Sequence, residues 1–152
     1  MQPNISITLS QKDPLPFSFL LHQATVVVND EPEISMGMTA HYSAEQPFSV
    51  VLALHAPEAL VAWDLSREQL IKGLRQHDGW GDVAVWPVAR GRGADFVRIR
   101  LGDDLSGTAM VEIERPTLKA WLEETCRLVP RGAEPDHLHL DQVIGQLLDA
   151  EA

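Results

Sequence analysis

With 152 residues, 45% of them hydrophobic, the chain suits one globular domain that buries roughly two-thirds of its unfolded surface, and neither disorder nor a membrane span is indicated. Twelve Lys and Arg against 22 Asp and Glu give a net charge of −10, with no basic cluster longer than a pair, which speaks against a nucleic-acid binder. The longest apolar run, 50–54, is too short for a bilayer, MQPNISITLSQKDP lacks the parts of a signal peptide, and the single Cys126 excludes an internal disulfide, so an acidic cytoplasmic protein is expected.

FSFLLHQATVVV (17–28) is rich in β-branched and aromatic residues and reads as a strand, closed by the turn cluster NDEPE. ISMGMTAHY (34–42) and PFSVVLALH (47–55) follow as strands. The second places Phe48, Val50, Leu52 and Leu54 on one face and Val51 and Ala53 on the other, so it should be covered on both sides. ALVAW (59–63) makes a fourth strand. The period then lengthens to that of a helix. Ser66 is its N-cap, Gln69 completes a capping box, Leu65 and Leu70 form a hydrophobic staple, and Gly73 ends it.

HDGWGD (77–82) sets two turn glycines, Gly79 and Gly81, around Trp80 and reads as a shaped connection from helix to strand. In DVAVWPV (82–88), Val83, Val85 and Pro87 share one face, while Ala84, Trp86 and Val88 share the other. After ARGRGAD, the segments DFVRIRL (95–101) and GTAMVEIE (107–114) alternate around GDDLSG. Val97, Ile99 and Leu101 should join Ala109, Val111 and Ile113 in the core, with Arg98 and Arg100 facing Glu112 and Glu114 as a cross-strand charge ladder. Pro116 opens a second helix with Leu118, Trp121, Leu122, Thr125 and Val129 inward. A last helix, capped by Asp141, would turn Val143, Ile144, Leu147 and Leu148 inward. Four strands, a helix, three strands and two helices predict an α+β fold with antiparallel sheets.

The chemistry-bearing patterns are sparse. GRG at 91–93 lacks a following Lys-Ser/Thr pair and joins two strands, so it is no phosphate loop. In HLHLD, an extended backbone would project His137, His139 and Asp141 to one side as half of a zinc or iron site. The plainer alternative spends Asp141 on the helix cap and leaves both histidines solvated, and no second cluster supplies the missing ligands. There is no G-x-S-x-G elbow, Cys126 lies beside a buried helical stripe, and Glu123 and Glu124 point apart on their helix. No catalytic set, cofactor site or metal site is expected.

Two passages carry a resemblance: EALVAWDLSREQLIKGL (58–74) and GDVAVWP (81–87) resemble the SsgA-like proteins of sporulating actinobacteria. The match lies at Glu58, Val61, Trp63, Arg67, Leu70, Gly73 and Leu74, then at Gly81, Asp82, Val83, Val85, Trp86 and Pro87. It runs from about residue 34 to 150 within a single domain over 1–152, with 1–13 as an N-terminal extension. The family commonly has a small residue where Trp80 stands and an arginine where Ala84 stands. The resemblance implies a non-enzymatic sporulation-specific cell-division protein, an adaptor that helps position or recruit the tubulin-like FtsZ at septum sites. It also implies a whirly-like fold of curved antiparallel sheets with two to three helices, a ring-like homotrimer, and FtsZ and other division or SsgA-like proteins as partners. A single-stranded nucleic-acid-binding module is the alternative, resting on fold analogy alone. For the trimer, the sheet face bearing Trp86 or the exposed side of the first hairpins is the expected interface.

Overall fold

The computed structural model describes residues 17–28, 31–91, 94–103, 107–138 and 148. Four strands, β1 (Phe17–Val28), β2 (Glu31–Ser43), β3 (Ser49–His55) and β4 (Leu60–Ser66), form an antiparallel meander that runs straight into helix α1 (Arg67–Gly73). A second meander, β5 (Asp78–Trp80), β6 (Val83–Arg90), β7 (Ala94–Asp103) and β8 (Gly107–Glu114), runs as directly into helix α2 (Arg115–Leu128). A 3-10 turn follows at Glu134–His137. The chain is thus α+β, as expected, with β5 added to the expected order. The two meanders form one eight-stranded sheet, in the order β4-β3-β2-β1-β8-β7-β6-β5. They are stitched where Thr25 and Val26 of β1 pair with Glu112 and Val111 of β8. The expected helix from Asp141 and the segment 1–13 lie outside the described residues.

The sheet is curled, and α1 shows by how much. β4 and β5 are its two outer edges, which a flat sheet would hold roughly 34 Å apart at the usual strand spacing. A helix of seven residues spans only about 10 Å, yet α1 touches β4, β5 and β6. The edges therefore approach one another around the helix. Bending is helped at the seam, where the β1–β2 register steps between Val26 and Val27, opposite Pro32, which has no N–H to give the ladder.

The concave side holds a single core, drawn from both meanders and both helices. Val97 pairs with Ile113, Ile99 with Val111 and Leu101 with Ala109, the register read from the alternation. Val50, Leu52 and Leu54 of β3 are buried as expected, but Phe48 lies before the strand and is 48% exposed. On the other face of β3, Ala53 is buried and Val51 is half-buried. The charge ladder shrinks to one rung. Arg98 donates to Glu112 at 2.8 and 3.1 Å, whereas Arg100 sits opposite Met110 and Glu114 opposite Phe96, because antiparallel register carries the next same-face positions apart.

Helix α1 begins as expected, the Gln69 N–H donating to Ser66 Oγ at 3.1 Å. The other half of the box is absent. Gln69 Nε2 instead donates to the carbonyls of Asp78 and Val83, tying the helix to the β5–β6 hairpin. Gly73 ends the helix for a reason other than a left-handed cap: a Cβ there would lie 2.1 Å from Val85 Cγ1, so glycine lets α1 press onto β6. HDGWGD is this hairpin, turning at Gly81 (φ +61°), while Gly79 is an extended residue of β5.

Candidate functional site

Arg67, the first residue of α1, stands at the wrong end of its own helix for a cation. Its side chain is 1% exposed and crosses to the C-terminal end of α2, where it donates to the carbonyls of Thr125 (3.1 Å) and Val129 (2.7 Å) and to Glu134 Oε1 (2.7 Å). The guanidinium lies 4.8 Å over the Tyr42 ring, whose hydroxyl donates to the Pro47 carbonyl. Arg115, the first residue of α2, returns the arrangement: its Nε donates at 2.6 Å to the carbonyl of Leu74, which caps α1. Each helix opens on an arginine that closes the carbonyl end of the other.

The cluster is electrostatically tight. Burial pushes the Glu134 carboxyl up, but the Arg67 hydrogen bond and the N–H groups of Glu134 and Gly132 together hold it below the usual carboxylate range. Burial pushes the Tyr42 hydroxyl up to about 12, with Arg67 acting the other way. Both groups stay in one charge state near neutrality, which suits a fixed framework better than proton transfer.

Several of the remaining motif residues serve the frame as well. Trp63 of β4 packs half-buried against the core, Gly73 meets Val85, and Gly81 makes the hairpin turn. Trp86 stacks on His77 with ring centroids 5.5 Å apart, and Pro87 follows it half-buried in β6. Glu58 is exposed in the β3–β4 turn, and exposed Asp82 accepts the Gly102 N–H on its carbonyl. Gly81, Asp82, Trp86 and Pro87 share one hairpin, Arg67 and Gly73 lie at opposite ends of α1, and Glu58 stands apart. His137 ends the 3-10 turn, while His139 and Asp141 lie outside the described residues. Among the described residues no three His, Cys, Asp or Glu side chains gather as metal ligands. Sequence reasoning missed Tyr42 and Glu134. The one available signal was an arginine placed against its helix dipole.

With Trp63, Arg67, Leu70 and Gly73 committed to the frame, and Glu58, Val61, Gly81 and Asp82 exposed but dispersed, the largest outward apolar display is the convex side of the first meander. Phe17, Phe19 and Leu21 of β1 alternate outward, opposite Ser43, His41 and Thr39 of β2. Phe17 and Phe19 meet edge to face at 5.3 Å, and Phe19 lies 4.6 Å from the His41 ring. Across β3 and β4 the same face continues through Val51, Ala62 and buried Ala53 to Leu60, with exposed Asp64 opposite Val51 and exposed His55 opposite Leu60. Phe19, Leu21 and Leu60 are 49%, 55% and 63% exposed, a costly display of apolar area for a sheet that met only water. Trp86, by contrast, is half-buried. Trp80 is the most exposed aromatic, at the hairpin tip beside Glu68, Lys72 and Asp78. No described helix is long and apolar enough to cross a membrane.

Residues 36–134 match the family model described as Streptomyces sporulation and cell division protein, SsgA. The chain belongs to the SsgA family. Among curated proteins of this family, it is 36% identical over 126 residues to the sporulation-specific cell division protein SsgB of Salinispora tropica, covering 81% of this chain and 87% of that one. To SsgB of Streptomyces coelicolor it is 33% identical over 124 residues, covering 81% and 89%. Among solved structures, an SsgB studied for mutations that correlate with longitudinal cell division during sporulation of Streptomyces coelicolor superposes with a TM-score of 0.75 at 29% identity. It covers 84% of this chain and 100% of that one. The SsgA-like protein of Thermobifida fusca gives 0.78 at 26% identity, over 89% and 98%. The curled antiparallel sheet with its two helices is thus shared with SsgA-family structures, and the chain is a member of a sporulation and cell-division family.

Proposed function

We propose that this chain acts in sporulation-specific cell division without catalysis, as an adaptor that helps position or recruit FtsZ at septum sites. The observation that carries the reading is the division of labour in the site. Trp63, Arg67, Leu70, Leu74 and Val85 among the residues that mark the family build the frame, and the outward face of the first meander displays apolar side chains suited to protein contact. On this reading the face of β1–β4 joins copies of the chain into a homotrimer by heterologous contacts that close on themselves. With that face buried between copies, the acidic outer rim repeated around the ring engages FtsZ, or other SsgA-like and division proteins, on the cytoplasmic side of the septum, with several weak contacts adding through avidity. The single-stranded nucleic-acid alternative is not favoured by the exposed Trp80, whose neighbours Glu68, Lys72 and Asp78 offer no net positive charge to a phosphate.

Deleting the gene and imaging FtsZ in sporulating cells tests the adaptor role. The expected result is missing or misplaced FtsZ ladders and septa. Regular ladders and normal spores in the deletion strain would sink it.

A further inference from the structure

Between the end of α1 and the outward side of α2 lies an open groove of about 480 Å3. Ile71, Leu74 and Leu122 form its floor. Its rim carries Lys72, Arg75, Arg115, Lys119 and Arg131, five of the twelve basic residues of a chain with a net charge of −10, and Glu123 is the one carboxylate in its lining. Arg115 is committed to the Leu74 carbonyl and Arg131 to an ion pair with Glu68. Lys72, Arg75 and Lys119 are exposed and have no ion-pair partner among the described residues. A concentration of uncommitted positive charge around an apolar floor, on an otherwise acidic molecule, selects by sign and by size. At physiological salt the screening length is about 8 Å, so a short anionic segment feels mainly the rim, while a long polyanion would also meet the acidic surroundings.

We infer that this groove docks a short, acidic, amphipathic segment of a partner protein, its carboxylates on Lys72, Arg75 and Lys119 and its apolar side chains on the floor at Ile71. The inference rests on the adaptor reading for its biological setting, but its chemistry stands on the groove. The geometry is that of a helix laid into a groove between two helices, with anchors three and four residues apart. Nucleic acid fits less well, because no aromatic side chain lines the groove to stack a base.

The test uses the purified full-length chain and a synthetic amphipathic peptide with glutamates along one face and leucines along the other, followed by fluorescence anisotropy. The expected result is binding that weakens as salt is raised and falls at least about tenfold in the Arg75→Glu/Lys119→Glu variant, as loss of complementary rim charges requires. Cys126, the single cysteine of the chain, lines the same groove, so bound peptide should slow its alkylation. Equal binding of a lysine-for-glutamate peptide, or of one with serines in place of leucines, overturns the inference. So does tighter binding of oligothymidine, or unchanged peptide binding by the double variant with its thermal midpoint preserved. The two readings fail separately. Normal septation in the deletion strain removes the adaptor role and leaves peptide binding intact. Full rescue of a deletion defect by the double variant removes the groove and leaves the adaptor.

Discussion

Arg67 is where a single side chain does most for this molecule. Replacing it with methionine keeps the bulk but leaves Glu134 buried without its cation and the carbonyls of Thr125 and Val129 without their donor. The expected loss is about 3–5 kcal/mol in urea unfolding, the usual consequence of breaking one side of a buried pair. Lysine should recover little of it, since an ammonium cannot fork between three acceptors in fixed directions. Glu134 also predicts a pH signature. Its carboxyl is held low in the fold, so its contribution is present above the unfolded value of about 4.3 and is lost as pH falls below that through the folded value. Glu134→Gln should flatten that acid limb, and an unchanged limb would show that the stability there comes from other groups. Tyr42 runs the other way: held at about 12, it adds stability that is present below pH 10 and is lost as pH climbs through 12. The sequence displays Arg67 clearly but hides its task, because its hydrogen-bond acceptors stand 58 to 67 residues further along the chain.

At the scale of elements, Gly73 and Ser66 contrast what is local with what is not. Ser66→Ala removes one cap and should lower stability by about 1 kcal/mol. Gly73→Ala would ordinarily help a helix, yet here the new Cβ meets the side chain of Val85 and should destabilise by about 1–3 kcal/mol through overpacking. Val85→Ala added to it should restore only part, because the Val85 Cβ itself would lie 2.5 Å from the new atom. Thermal midpoints of the two single variants and the double variant decide the matter, and a stabilised Gly73→Ala protein would disprove the close approach. The cap is legible in sequence because donor and acceptor are three residues apart, and the β7–β8 register because alternation fixes it. β5 is not legible: three residues with a central glycine carry no alternation to read. Nor is the floor-and-rim groove, since Lys72 and Arg75 belong to one half of the chain and Arg115 and Lys119 to the other.

For the whole molecule, the apolar convex face of the first meander makes association a matter of measurement. Phe19 and Leu21 are about half exposed and support no core residue, so Phe19→Asp/Leu21→Asp should keep its circular dichroism and lose association in light scattering. An unchanged assembly mass would move the interface elsewhere. The α+β class and the order of the main elements were readable, whereas the duplication of a meander running into a helix was not, because the two halves share only alternation and not residues. The crossed arginines have a consequence for how the chain folds. Backbone N–H groups of the same half close the carbonyls of Ile71, Lys72 and Thr125, but the carbonyls of Leu74 and Val129 take their side-chain donors from the other half, Arg115 on α2 and Arg67 on α1. Half a chain should therefore be an incomplete object, and unfolding should be a single cooperative event in which amide hydrogens of both helices exchange through the same opening. Cut between α1 and β5, the two fragments should remain unstructured apart and regain the native fold only when mixed.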